Sequence, residues 1–196
     1  MTQPARTILG ISGSLRRDSH NTALLRNAAR LLPGGVRLEL WDPEALKRIP
    51  PYDQDDDDAE GHPESVIALR RAMEQADAVL FSTPEYNASI PDQLKNALDW
   101  LSRPISESPL RNKPVAVIGT STGAFGAVWA QADLRKVLGS LGARVTEGEL
   151  AVGHAHERID GDGLLADADH LEQLEAVVTD LVRQIELRER LAVPAA

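Results

Sequence analysis

The 196-residue sequence contains no cysteine. Disulfide bonds, thiolate nucleophiles and metal or iron–sulfur centres held by cysteine are therefore excluded. The sequence also has no apolar segment as long as a membrane span. Its start, MTQPARTILGISGS, has one arginine and a short apolar run but lacks the long apolar core of a signal peptide. We therefore expect a cytoplasmic protein.

Basic residues are in deficit as well. The chain has 30 acidic against 21 basic residues, for a net charge of -9, and its lysines and arginines are scattered rather than clustered. This balance argues against nucleic acid or an anionic membrane as the main partner. A chain of this length can bury about 70% of its unfolded surface around one core. We expect residues 1–196 to form a single domain.

Apolar periodicity predicts strands that alternate with helices. The predicted strands cover residues 7–12, 36–40, 78–83, 115–120 and 144–152, and the predicted helices cover residues 21–32, 65–76, 93–102, 129–141 and 168–191. Residues 42–63, rich in Pro, Asp and Gly, are predicted to form a long surface loop. Strands separated by helices form a mostly parallel sheet covered on both faces, which is a three-layer, doubly wound α/β fold. Ligands of such folds bind at the carboxyl ends of the strands, so the loops after strands one, three and four are candidate binding segments.

The first loop, residues 13–22 (GSLRRDSHNT), is rich in groups that bind anions. Backbone N–H groups at a helix N-terminus carry partial positive charge, to which polar side chains and a guanidinium can add. The side chains that can do so are Ser14, Arg16, Ser19, Asn21 and Thr22. The alternative is an ordinary capped helix start, because Ser, Thr and Asn are favoured there without any ligand.

Two other phosphate-binding motifs are missing from this loop. A dinucleotide loop needs GxGxxG and a P-loop needs GxxxxGK followed by Ser or Thr. The segment GISGSL has the wrong glycine spacing for the first motif, and no lysine stands where the second requires it. Polar side chains in place of glycines suit a single terminal phosphate better than a threaded pyrophosphate.

The second and third loops follow the predicted strands three and four. The second loop, residues 83–91 (TPEYNASIP), has two prolines that stiffen the backbone, so that its amides could lie against a planar heteroaromatic ring. The third loop, residues 120–127 (TSTGAFGA), contains Gly123 and Gly126, which let backbone amides approach partial negative charge on a ligand. Plain turns are the alternative for both loops.

Together the three loops resemble the NAD(P)H-dependent FMN reductase family, which includes flavodoxin-like bacterial quinone, chromate and azo-dye reductases. The resemblance rests on GSLRxxSxNT after strand one, PEYNxSxPxxLKNALDWLSR after strand three and TSxGxxG after strand four. It extends from Ile8 to about Val182 and implies a flavodoxin-like sheet of five parallel strands. In one departure from the family, residues 126–129 read GAVW where doubled small residues often follow the third loop's glycine.

The resemblance implies a part of the cofactor for each loop. The first loop would bind the FMN phosphate, the second the isoalloxazine near N5 and O4, and the third the pyrimidine edge. The implied cofactor-binding residues are Ser14, Arg16, Ser19, His20, Asn21, Thr22, Pro84, Glu85, Tyr86, Asn87, Ser121, Thr122, Gly123 and Gly126, with His20 contributing through its backbone. No catalytic side chain and no metal ligand is implied, because the redox chemistry belongs to the cofactor.

The resemblance also implies a reaction. Hydride would pass from NAD(P)H to bound FMN and then to a quinone, or to a similar acceptor such as chromate or an azo compound, in a ping-pong cycle. Family members are homodimers or homotetramers with the flavin near the interface, which implies such an assembly here. Two alternatives stay open: an FMN reductase that releases reduced flavin, and a flavodoxin-type electron carrier.

Some side chains allow more than one interpretation. The leucine stripe of helix 93–102 could face the sheet or a subunit interface. Trp100, Phe125 and Trp129 could wall the substrate space, or pack in the core or an interface.

Two histidines could form a metal site, but an ordinary structural role is the preferred interpretation. His154 and His156 alternate on a predicted strand, with two aspartates nearby. The acidic run 55–58 is better explained as a solvated loop than as a cation site.

Overall fold

A computed structural model describes residues 6–58 and 61–192. The rest of the expected domain, residues 1–5, 59–60 and 193–196, lies outside the described residues. The strands of the described part are β1 (Arg6–Ser12), β2 (Val36–Leu40), β3 (Ala78–Thr83), β4 (Pro114–Thr120), β5 (Arg144–Val145) and β6 (Ala151–Val152). Its helices are α1 (His20–Arg30), α2 (Pro43–Lys47), α3 (Gln54–Asp57), α4 (Glu64–Gln75), α5 (Asp92–Leu101), α6 (Val128–Ser140), α7 (Ala155–Arg158) and α8 (Ala168–Ala192).

All pairings of these strands are parallel, in the order β2-β1-β3-β4-β5, and β6 pairs with the carboxyl end of β4. This is the strand order of flavodoxin-like folds, so the predicted fold class is confirmed. One apolar cluster packs the sheet against α4, α5 and α6, and a second packs the opposite face against α1 and α8. The three layers follow, because both faces of a parallel sheet must be covered.

The predicted fifth strand is wrong in its extent. Residues 144–152 form two short strands, β5 beside the start of β4 and β6 beside its end. The Arg135 guanidinium lies between them and donates hydrogen bonds to the carbonyls of Thr146, Gly148 and Val117. These carbonyls therefore accept hydrogen bonds from a side chain, whereas in a continuous strand they would take part in backbone pairing between strands.

The predicted surface loop 42–63 is also only partly correct, because it contains the short helices α2 and α3. Asp42 accepts a hydrogen bond from the N–H of Glu44 and is followed by proline at the first helical position. Asp53 caps α3 in the same way. Both are ordinary N-terminal helix signals inside an acidic, Pro-rich segment.

The two interpretations of α5 are resolved by burial. Its leucine stripe, residues Leu94, Leu98 and Leu101, lies fully buried in the core, and Trp100 is buried beside it. The Trp100 indole donates a hydrogen bond to the Pro50 carbonyl, which satisfies its polar atom. The stripe faces the sheet.

None of the described helices is long and apolar enough to cross a bilayer.

One buried charge lies at the opposite, amino-terminal edge of the sheet. Lys113, only 4% exposed, donates a hydrogen bond from Nζ to the Ala76 carbonyl. Burial, followed by the nearby charge of Arg188, lowers its pKa, and Asp77 and Glu74 oppose the shift; the net result is a pKa of about 8. Burying the ammonium therefore destabilises the folded protein at neutral pH.

We expect wild-type protein to gain stability relative to Lys113→Met as the pH rises from about 8 towards 10.5. Below pH 8 the lysine is protonated in both states and the full cost of burying its charge is present. Between the folded pKa of about 8 and the ordinary value of 10.5, the unfolded chain binds more protons, so stability increases with pH. Urea unfolding of both proteins across this range measures the difference, and a constant difference would contradict the assignment.

Candidate functional site

The three loops meet at the carboxyl edge of the sheet around a cavity of about 190 Å³. Its lining residues are Ser14, Arg16, Ser19, His20, Asn21, Pro84, Glu85, Tyr86, Thr120, Ser121 and Thr122. Four residues expected in the site, Thr22, Asn87, Gly123 and Gly126, lie outside this lining. Thr120 was predicted to lie in the third loop but was not selected as a site residue. The sequence signal that could have identified it is a hydroxyl residue at the end of the apolar strand VAVIGT.

The first loop presents backbone donors at the start of α1. Ser19 caps the helix, and its Oγ accepts hydrogen bonds from the N–H groups of Asn21 at 3.2 Å and Thr22 at 3.3 Å. The described chain supplies no hydrogen-bond acceptor to the backbone N–H groups between residues 15 and 20. The Arg16 side chain is exposed and reaches back to the Asp18 carbonyl at 2.6 Å. N–H groups of a helix start beside a guanidinium favour an anion.

Two further groups of this loop bear on its electrostatics. The Thr22 hydroxyl is buried, and no partner within the described residues satisfies it. Burial lowers the pKa of His20, and the nearby charges of Arg16 and His156 lower it further. His20 is therefore neutral at physiological pH, which leaves the permanent positive charge of this part of the cavity to Arg16.

The side chain of Asn21 is turned inward. Its amide forms hydrogen bonds with Ser82 and with the backbone of Thr120, at the ends of β3 and β4. The expected polar contact of this amide with a phosphate would require those bonds to break. Asn21 lines the cavity but has its side-chain donors and acceptors engaged.

The second loop is held in a tight turn. The N–H and carbonyl groups of Tyr86 and Ser89 bond to each other, and Asn87 and Ala88 between them have positive φ angles of 52° and 60°. These are the φ signs of a type I′ turn, which is strained for alanine. Tyr86 is consequently projected outwards, with 53% of its surface exposed.

Glu85 joins the second loop to α6, the helix that follows the third loop. Its Oε2 accepts hydrogen bonds from the backbone N–H groups of Trp129 at 3.0 Å and Ala130 at 3.1 Å, in the first turn of α6. The residue before α6, Ala127, supplies no side-chain cap. Glu85 is thus the cap of a helix from a distant loop, and its Oε2 is engaged inside the protein.

The two glycines of the third loop have different surroundings. Gly126 has a φ of 58°, and a Cβ there would lie 2.4 Å from the Ala151 carbonyl carbon. At Gly123 a Cβ would meet only Ser121 Oγ, at 3.6 Å. Gly126 is therefore required by packing against β6, whereas Gly123 borders open space.

Two aromatic side chains stand exposed beside this loop. Phe125 and Trp129 are 64% and 49% exposed, and their rings pack edge to face with centroids 5.0 Å apart. Their exposure excludes packing in the core of the chain, one of the interpretations open from sequence. Their exposure is compatible with a place in the wall of the substrate site and with a place in a subunit interface.

The metal interpretation receives no support. The residues described contain no group of three or more His, Asp or Glu side chains able to hold a metal ion. The predicted strand placement of the histidines is wrong, because His154 immediately precedes α7 and His156 lies within it. Their rings are 6.5 Å apart.

The cavity can be tested against FMN by its size and donor set. At about 190 Å³ it is smaller than the roughly 300–1,000 Å³ of pockets that enclose whole ligands. Its donors and Arg16 match a terminal phosphate, and the unpartnered Thr22 hydroxyl lies in the same helix turn. The residues present therefore fit FMN if the phosphate end is enclosed and the ring lies at the open rim near Tyr86 and Thr122.

Comparison with known proteins points in the same direction. The sequence model of the NADPH-dependent FMN reductase family matches residues 6–157. The chain is 44% identical over 161 residues to the NAD(P)H-dependent FMN reductase PA1204 of Pseudomonas aeruginosa, covering 82% of this chain and 84% of the relative. It is 36% identical over 174 residues to a quinone reductase of Escherichia coli, covering 88% and 91%.

A solved structure extends the likeness to three dimensions. FerB of Paracoccus denitrificans, a flavoenzyme NAD(P)H:(acceptor) oxidoreductase, superimposes with a TM-score of 0.81 at 37% sequence identity. The match covers 93% of this chain and 98% of FerB.

We expect Gly126→Ala and Gly123→Ala to differ in stability. The first places a Cβ against the backbone of β6 in a left-handed conformation and should lower the free energy of unfolding by about 1–3 kcal/mol. The second meets open space and should leave it within about 0.5 kcal/mol. Thermal unfolding without added flavin measures both, and equal losses would show that the two glycines have the same role.

Proposed function

The chain belongs to the NADPH-dependent FMN reductase family, and from this we propose that it is a quinone reductase that retains FMN throughout turnover. Members of this family use FMN and NAD(P)H, and the chain is an oxidoreductase of that type. The observation that carries the proposal is the convergence of the three loops on one cavity. Relatives named as a quinone reductase and a 2-hydroxy-1,4-benzoquinone reductase support the choice of acceptor.

The first loop holds the phosphate in this proposal. The free N–H groups between residues 15 and 20 and the Arg16 guanidinium bind the phosphate, with Ser14, Ser19 and Thr22 around them. The backbone of residues 84–87 and of residues 121–123 supports the ring at the open rim. Gly126 contributes by packing the third loop, and Asn21 by the bonds described above.

When bound, FMN would supply the redox chemistry, by taking two electrons as a hydride from NAD(P)H and passing two electrons to the acceptor, which takes up the protons it needs. The chain's own part is to orient the ring and to keep one face open for two planar molecules in turn. Tyr86, Phe125 and Trp129 offer exposed aromatic surface beside that rim. A flat conjugated acceptor such as a quinone suits this surface, and azo compounds and chromate are further acceptors that we propose.

The assembly and location belong to the same proposal. We propose a homodimer or homotetramer of single-domain chains, which would cover part of the exposed aromatic surface. We propose the cytoplasm as its location, where NAD(P)H is available. Small molecules are its proposed partners, and the charge of -9 disfavours nucleic acid.

We expect the purified protein to bind FMN, which the absorbance spectrum of the bound flavin would show. We also expect it to oxidise NAD(P)H with a quinone as the acceptor, in the absence of a partner reductase. Because nicotinamide and quinone would use the same flavin face in turn, initial rates at several quinone concentrations should give parallel double-reciprocal lines. Contacts to the phosphate bind oxidised and reduced flavin alike, so free FMN should not accelerate the saturated protein.

The two alternatives give different results in this assay. Convergent lines, or a rate that rises with free FMN as a consumed substrate, would favour a reductase that releases reduced flavin. Absence of NAD(P)H oxidation by FMN-loaded protein would favour an electron carrier.

We expect Arg16→Ala to weaken FMN binding by roughly ten- to a hundredfold, because it removes a charge-assisted contact worth about 1.5–3 kcal/mol. Arg17→Ala is the matched control, since Arg17 is an exposed neighbour of the same charge that does not line the cavity. Riboflavin, which lacks the phosphate, should bind the Arg16 variant as it binds wild type. Fluorescence titration measures all of these affinities, and equal FMN losses in both variants would contradict the placement of the phosphate.

A further inference from the structure

Asn21 occupies an unusual position for a residue of a ligand loop. It is the second residue of α1, only 4% exposed, and its side chain crosses to two strands far away in the sequence. Its Nδ2 donates to the Thr120 carbonyl at 3.0 Å, while its Oδ1 accepts from the Thr120 N–H at 3.2 Å and from Ser82 Oγ at 2.8 Å. Both polar atoms of the amide are thus used inside the protein.

This amide replaces a missing strand residue. The N–H groups of Gly119 and Ser121 bond to carbonyls on the β6 side, so the backbone N–H and carbonyl of Thr120 between them point towards β3. There the register pairs Gly119 with Thr83, and the chain continues as Pro84, which has no N–H and leads away into the second loop. A side-chain amide has the same donor and acceptor as a peptide group, and Asn21 supplies both where β3 has ended.

The three loops are therefore tied together at one side chain. Asn21 lies in the first loop, Ser82 immediately precedes the second, and Thr120 opens the third. The backbone adds one more link, from the Gly13 N–H to the Ser82 carbonyl at 2.8 Å. In the parts of the chain described, no other side chain bonds to the starts of both the second and the third loop.

We infer that Asn21 is a positioning residue of the flavin site, which sets the separation of the three loops through its amide and does not bind the phosphate itself. The inference rests on the proposed function only in taking FMN as the ligand of this cavity. Residues that orient a binding shell, as studied in metal sites, contribute about 10–100-fold to affinity or activity. An effect of that size at Asn21 would come from displaced loops rather than from a lost contact.

The same helix contains a matched control. Asn27 is equally buried, at 4% exposure, and its amide also forms three hydrogen bonds within the protein. It donates to the carbonyls of Ala23 and Gly163 and accepts from the N–H of Leu165, away from the second and third loops. Replacing Asn27 removes a comparable buried amide without releasing the flavin loops.

The test is titration of FMN and of riboflavin into apoprotein of wild type, Asn21→Ala and Asn27→Ala, with the reduction potential of bound FMN as a further measurement. Both variants should lose stability. We expect Asn21→Ala to weaken FMN by about tenfold or more, to weaken riboflavin as well, and to shift the reduction potential. Asn27→Ala should keep the wild-type affinities and potential. If Asn21→Ala does not fold, Ser82→Ala removes one of its partners and should weaken both flavins in the same direction.

Each other outcome overturns the inference. Loss of FMN binding with unchanged riboflavin binding would make Asn21 a phosphate ligand. Equal effects of both asparagine variants would mean that Asn21 contributes to stability alone. Unchanged flavin binding in Asn21→Ala would show that Asn21 does not position the loops, and the same holds for Ser82→Ala if that variant is used instead. A wild-type protein that binds FMN but does not oxidise NAD(P)H would refute the proposed function and leave this test intact, whereas a wild type that binds no FMN would refute both.

Discussion

Parallel pairing of β3 with both β1 and β4 brings the ends of these strands to one edge of the sheet, in the registers Ser12 to Ser82 and Thr83 to Gly119. Every feature of the candidate site depends on this alignment, because parallel strands deliver their carboxyl-terminal loops to the same side. The core makes the alignment rigid. β3 and β4 are fully buried, with apolar clusters on both faces, so a shift in register would expose apolar side chains or bury polar ones.

At that edge of the sheet, several residues have strained backbone conformations, which allow the loops to pack closely. Four of the five non-glycine residues with positive φ in the described chain lie in or next to these loops, namely Asn87, Ala88, Ala127 and His154. Each such conformation costs of order 1–3 kcal/mol and persists only where neighbours enforce it. Here the enforcing contacts include the Glu85 cap on α6 and the hydrogen bond from Ser89 to Asp133. Strained loops held by distant polar contacts are typical of preorganised ligand sites.

Much of the fold was predictable because it rests on local patterns. The boundaries of α1, α4, α5, α6 and α8 agree with the apolar periodicity to within two residues. Errors arose where a long-range contact overrode the pattern. The expected fifth strand is interrupted because Arg135, a residue of α6, takes over its carbonyls. The acidic segment 42–63 contains helices because two of its aspartates also act as helix caps.

The sequence by itself determined the alternation of strands and helices, the places of the three loops and the family to which they belong. These depend on residues close together in the chain, where spacing and residue type are sufficient. Only the tertiary structure decided what the polar side chains of the loops do. Asn21 and Ser82 are 61 residues apart, Asn21 and Thr120 are 99 apart, and Glu85 caps a helix 44 residues later. A residue type such as Asn or Glu permits both a ligand contact and an internal bond. Whether such a side chain binds a ligand or forms an internal bond depends on the unpaired backbone groups that the folded strands bring close to it. A buried N–H or carbonyl without a partner is costly, so a nearby side chain that can pair with it is favoured.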